Sequence, residues 1–144
     1  MNIIFLDIDG VLNTGRRHLV IPNKPNETFD PVSVGLVNRL AKHTNSEIVT
    51  NTVWNINPKL TKLLKANGLK PPVGRTQYPD LPNRLDAIHA YLHERPADNW
   101  VALDDTFIEH KNAVWINPYD GIKWEDYKMA SLILGNYDNA SVLL

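Results

Sequence analysis

Cysteine is absent from this chain of 144 residues, which excludes disulfides, thiolate-bound zinc and thiol nucleophiles and agrees with a reducing compartment. Neither sign of charge dominates. Fifteen Lys and Arg against 16 Asp and Glu leave a formal charge of −1, so a site for a polyanion has to be a local basic patch. Long apolar runs are missing as well: the first, Ile3 to Leu6, is broken by Asp7. That is far too short for a membrane span or for the apolar part of a signal peptide, so a soluble, cytoplasmic protein without a membrane partner is expected. Repeats, low-complexity tracts and an interdomain linker are lacking, and the length fits one domain over residues 1–144. There is no G-x-x-x-x-G-K-[ST] motif, which argues against a P-loop kinase.

What is present is an alternation of apolar runs with helical patterns, the signature of an α/β fold with a central, mostly parallel sheet. Residues 2–7, 47–52, 99–105 and 113–116 read as strands, with a short, weak one near Lys70 to Val73. Between them, Pro31 is suited to the first turn of a helix whose apolar face is Val34, Val37, Leu40 and Ala41. A second helix is expected over Pro58 to Asn67, with Leu60, Leu63 and Leu64 inward and Gly68 stopping it. Pro82 opens a third with Leu85, Ile88 and Leu92, ended by Arg95 and Pro96. A closing helix follows from Trp124. The segment from Val11 to Asp30, rich in Asn and Pro, reads as irregular, and is too long to be a mere connection. Five parallel strands result, and periodicity leaves their order open.

Two of these strands end in paired acids. "FLDIDG" places Asp7 and Asp9 at the end of the first strand, and "VALDD" places Asp104 and Asp105 at the end of another. Thr50 and Thr52 stand at an intervening strand end. Ligands of open α/β sheets gather at the carboxyl ends of the strands. Carboxylates crowded there repel one another unless a cation neutralises them, and an oxygen-only ligand set suits a hard ion such as Mg²⁺.

"FLDIDGVLNT" resembles motif I of the haloacid dehalogenase-like (HAD) superfamily, "IVTNTVW" its strand-ending Ser/Thr motif II, and "VALDD" its acidic motif IV. With "RPADNWVALDD" and "INPYDGIKW", the chain is similar throughout to small, cap-poor HAD domains, including those of RNA-repair proteins. The resemblance implies a three-layer Rossmann-like fold with a minimal or absent cap, and a Mg²⁺-dependent phosphomonoesterase. Asp7 would be the nucleophile that becomes an aspartyl-phosphate, and Asp9 the acid and then the base. Asp7, the Asp9 carbonyl, Asp104 and Asp105 would hold the metal. Gly10 would let backbone N–H groups approach the phosphoryl oxygens, with Asn51 also at the substrate. Thr52 is favoured over Thr50 as the motif II hydroxyl. Arg84 is the best match for the motif III cation, with Arg75 and Lys70 as rivals.

Room for a cap is small, and an open site admits a bulky substrate. A nucleotide or a phosphorylated nucleic-acid end is therefore favoured over a small sugar phosphate. "GRRH", in the loop after the first strand, offers Arg16 and Arg17 to an anionic substrate. His89 and His93 have the i, i+4 spacing of zinc ligands but lack the accompanying Glu, and read as a solvated face. Trp54, Trp100, Trp115 and Trp124 read as core aromatics rather than a base-stacking platform. The alternative from another class is a non-catalytic, receiver-like phospho-signalling or Mg²⁺-binding module. A Toprim-like enzyme is disfavoured, because it wants its D-x-D on a later strand.

Overall fold

A computed structural model describes residues 1–22 and 27–135. Its five strands are β1 (Asn2–Leu6), β2 (Ser46–Thr50), β3 (Gly74–Arg75), β4 (Asn99–Asp104) and β5 (Ala113–Trp115). The helices are α1 (Gly15–Val20), α2 (Pro31–Thr44), α3 (Leu60–Ala66), α4 (Arg84–Glu94) and α5 (Trp124–Ile133). All strand pairs are parallel, in the order β3-β2-β1-β4-β5. Among the described residues, no connection carries an inserted domain.

Local chemistry sets the element ends. Asp30 caps α2 by accepting from the N–H groups of Val32 and Ser33, and Pro31 takes the first helical position, where a missing N–H costs nothing. Gly68, at φ +80, follows α3 in the left-handed conformation that suits glycine. Three expectations shift. The third helix starts at Arg84, because Asn83 rather than Pro82 provides the capping oxygen, to Asp86 N–H. The weak strand lies at Gly74–Arg75 instead of 70–73, a two-residue edge paired only with Val49 and Thr50. The segment 11–30, read as irregular, contains α1, a helix without a single buried residue and hence without an apolar stripe to betray it.

Alternation along the strands divides the core in two. Ile4, Leu6, Ile48, Val101, Leu103 and Val114 point to one face, where residues of α2, α3 and α5 such as Val37, Leu40, Leu64 and Tyr127 cover them. Ile3, Phe5, Val49 and Ala102 point to the other, covered by Ile88 of α4 and by Ile108. This second face is thin. The chain runs outward through β2 and β3 and returns to place β4 beside β1, so the order reverses between β1 and β4, the crevice where doubly wound sheets bind ligands. Receiver-like domains follow the flavodoxin-like order 2-1-3-4-5; the observed order counts against that alternative.

Candidate functional site

Register builds the site. Leu6 is level with Thr50 on one side and Leu103 on the other. The ladder runs one step further, with Asn51 N–H donating to Leu6 O at 2.8 Å and Asp7 N–H to Leu103 O at 3.1 Å. Asn51, Asp7 and Asp104 therefore form one row across the carboxyl edge of the sheet, in phase with Val49, Phe5 and Ala102 and so directed to the thin face. There the start of α4 meets them. Arg84 donates to Asp104 at 2.9 Å and stands 3.4 Å from Asp7 Oδ2.

Asp7 and Asp104 are both buried. Ile8 N–H bonds Asp7 Oδ1 at 2.8 Å, whereas the buried Oδ2, apart from its ion pair with Arg84, has no hydrogen-bond partner among the described residues. Asp105 completes a trio whose carboxylate oxygens lie within 4.8 Å of one another. One guanidinium cannot balance this much negative charge. Burial first, and the Asp104 charge second, push the Asp7 carboxyl up to about 9 despite Arg84. Burial also raises Asp104, against the pull of Arg84 and Thr106 N–H. For Arg84 itself burial disfavours the charge, but Asp7 and Asp104 outweigh it and raise its pKa. A surplus of carboxylate with an unpartnered buried oxygen fits a hard cation, whose binding would ionise the cluster.

Arg84 is held from several sides. Its guanidinium reaches Asn51 O at 3.4 Å and lies 4.5 Å over the Tyr78 ring, while Asn51 Nδ2 reaches the Arg84 carbonyl at 3.4 Å. The side-chain oxygen of Asn51, a residue expected at the substrate, also accepts from the Thr76 hydroxyl at 2.7 Å. Of the two rivals, Arg75 bonds Asn55 O at 2.9 Å. Lys70 bonds Ser46 O and Glu47 at the opposite end of β2.

Thr50 donates its hydroxyl to Asn55 at 2.7 Å on the far side of the row. Thr52 accepts from Trp54 N–H at 3.3 Å as the cap of the 3₁₀ turn Val53–Ile56, which leaves its O–H proton to donate. Gly10 itself donates its N–H to Asn13 O at 3.0 Å. Its value is space: at φ +78, a Cβ there would lie 2.3 Å from Asp105 Oδ2.

Asp9 is exposed, and its carboxylate stands outside the trio. Asn13 donates to it at 3.0 Å, and His18 Nε2 lies 2.6 Å from the Asn13 side-chain oxygen, linking Asp9 to α1. Arg16, expected to meet substrate, bonds Asp30 at 2.6 Å and fastens α1 to the cap of α2. Burial works against the Asp30 charge, yet Arg16 and Thr14 hold the carboxyl below its usual range. Arg17 is half-buried, with its Nε unpartnered among the described residues.

Sequence reasoning passed over Asn13, Asn55, Thr76 and Tyr78. The only hint was the polar run "TNTVWN" following a buried strand. His89 and His93 are exposed as expected, and the His89 ring packs edge-on to Trp100 and His110 rather than standing wholly in solvent. Trp115 is 66% exposed, contrary to its reading as a core aromatic: it lies on the edge strand β5, outside both apolar clusters.

No helix among the described residues is long and apolar enough to cross a membrane. No curated protein and no solved structure matches the chain. A family model does, over residues 3–126, from the first strand into the closing helix. Motif and topology thus converge: the chain belongs to the family described as the HAD domain in Swiss Army Knife RNA repair proteins.

Proposed function

We propose that this chain hydrolyses phosphate monoesters by way of a phosphoryl group carried on Asp7, and that its substrates are nucleotides or phosphorylated nucleic-acid ends. The observation that carries the reading is the convergence of Asp7, Asp104, Asp105 and Arg84 at the crevice between β1 and β4.

A carboxylate oxygen of Asp7 attacks phosphorus, and the bond to the leaving oxygen breaks. Asp9, outside the buried trio, gives that alkoxide its proton. The resulting carboxylate then takes a proton from the water that cleaves the acyl-phosphate, restoring Asp7 and releasing phosphate. Asn13 holds the Asp9 carboxylate, and His18 supports Asn13. Arg84 and the Thr52 hydroxyl donate to the phosphoryl oxygens, with Asn51 and Tyr78 fixing the arginine. Asp7, Asp104, Asp105 and the Asp9 carbonyl would hold Mg²⁺, in keeping with the charge surplus of the trio. Bound there, it supplies positive charge that keeps Asp7 ionised and screens it from the phosphate.

The preference for nucleic-acid ends rests on the family, which occurs in RNA-repair proteins, and on connections that carry no lid domain among the described residues. A panel of 3′- and 5′-phosphorylated oligonucleotides, mononucleotides and sugar phosphates, assayed with Mg²⁺ and with chelator, tests it. Turnover is expected only with the metal, with nucleic-acid ends or nucleotides leading. Activity that persists in Asp7→Asn or in chelator would sink the mechanism. Sugar phosphates better by tenfold would sink the substrate assignment alone.

A further inference from the structure

The row of residues at the carboxyl edge of the sheet does not stop at Asp104. Trp115 is level with Asp104 on the neighbouring strand, in phase with Ala113 and so on the same thin face. Adjacent strands lie about 4.8 Å apart, which puts the Trp115 backbone roughly two strand spacings, about 10 Å, from that of Asp7. Its indole is not loose. Nε1 donates to the backbone carbonyl of Asp105 at 2.9 Å, tying the ring to the loop that bears the third carboxylate. The Phe107 ring stands edge-on to it with centroids 5.3 Å apart. Both rings are largely open, Phe107 at 61% and Trp115 at 66% exposure.

Two hollows flank this pair. One, of about 380 Å³, is lined by Phe107, His110, Lys111 and Trp115. The other, of about 570 Å³, is lined by Tyr78, Arg84 and again Thr106 and Phe107. Thr106, Phe107, Ile108 and Glu109 line both, so the hollow at Arg84 adjoins the hollow at the indole. Large aromatics left in water beside a polar site lose the burial that ordinarily stabilises them, and a hydrogen bond that orients the ring leaves its face to stack.

We propose that Trp115, buttressed by Phe107, is a stacking subsite for the nucleobase of a substrate whose phosphate lies at Asp7 and Arg84. The subsite rests on the phosphatase reading for the placement of the phosphate. It selects base-bearing esters over simple sugar phosphates without reading base identity, since every base has a π face.

The test has a kinetic arm and a binding arm. With Mg²⁺, kcat/KM is compared for a 3′- or 5′-phosphorylated oligonucleotide and for ribose 5-phosphate, in wild type, Trp115→Ala, Trp115→Phe and Phe107→Ala. Trp115→Ala is expected to lose about tenfold on the oligonucleotide and nothing on ribose 5-phosphate, with Trp115→Phe recovering most of the loss. In the binding arm, Asp7→Asn is titrated with an oligonucleotide carrying 2-aminopurine beside its terminal phosphate. Quenching is expected, and Trp115→Ala in the same background should weaken the binding about tenfold.

Equal losses on both substrates, or unchanged oligonucleotide binding without Trp115, would overturn the subsite. So would a concentration-dependent dimer in sedimentation that Trp115→Ala dissociates, since the exposed rings would then belong to a contact between copies at the β5 edge. Should wild type turn over no phosphate ester, the phosphatase reading fails, and the quenching titration still decides whether Trp115 stacks a base.

Discussion

On one face of the sheet, three helices seal the apolar side chains of β1, β2, β4 and β5, whereas on the other, among the described residues, one helix, α4, does so with Ile108 and Ala97 beside it. The thick face holds the larger cluster, including Leu40, Leu64 and Tyr127; there Thr44 donates to Leu40 O at 2.6 Å, while the buried hydroxyls of Tyr127 and Ser131 have no hydrogen-bond partner among the described residues. The thin face is where charge gathers at the carboxyl edge of the sheet: Asp7, Asp104 and half-buried Arg84, with the open rings of Phe107 and Trp115 beside them. The difference teaches that stability and chemistry have been separated by the pleat of the strands. Alternate residues of one β1 segment serve the two purposes, Leu6 facing the packed side and Asp7 the open one.

The separation can be broken most decisively at Asp7. Asp7→Asn is expected to cut Mg²⁺-dependent phosphate release by at least about a thousandfold, measured at saturating substrate, while the protein stays folded by circular dichroism. The same variant sharpens the electrostatic side. In the folded, metal-free protein Asp7 titrates near 9, above its value of 3.8 in the unfolded chain. The folded state then binds the extra proton between those values, so stability falls as pH rises from about 4 to 9 and levels off above. Thermal midpoints in chelator should decline over that window, and should decline less in Asp7→Asn.

On the thick face the converse holds. Leu40→Ala, at a fully buried site in α2, should cost about 2–5 kcal/mol in urea unfolding yet leave kcat/KM of the folded protein unchanged. A drop in kcat/KM matching the loss of stability would mean that the two faces are coupled. Next in size is Arg84→Lys, which keeps the charge but not the planar guanidinium, one amino nitrogen of which faces both Asp104 and Asp7. Its kcat/KM should fall roughly 10- to 100-fold, with the midpoint little altered. The smallest effect belongs to Lys70→Ala, which removes a half-exposed pair with Glu47 at the amino end of β2. It should change stability by less than about 1 kcal/mol and activity not at all, and a catalytic loss there would reopen the choice of cation.

Much of this was legible in the chain. Buried parallel strands read as continuous apolar runs, and an acid at the end of such a run marks its exit from the core, so Asp7 and Asp104 were found where the strands stop. Helix α2 was found from its proline and its stripe. Elements with little to bury left no such trace, as α1 and the two-residue β3 demonstrate. The roles of polar side chains were harder still. Asn51 and Arg16 were expected at the substrate, and the chain did not reveal that Asn51 also bonds Arg84 and Thr76, or that Arg16 also pairs with Asp30. Hydrogen-bond partners 14 to 33 residues away leave no periodic signal.

By itself, the sequence determined the strand cores, the acids at their ends and the absence of thiol chemistry, because these depend on residue identity and on contacts within one element. Only the tertiary structure decided that β4 lies beside β1 and that the register sets Asp7 level with Asp104. It alone brought Arg84, rather than Arg75 or Lys70, against Asp7 and Asp104, and left the indole of Trp115 in the open. Parallel neighbours are joined by long crossovers, so which strands meet, and in what register, is settled by packing the whole sheet against its helices.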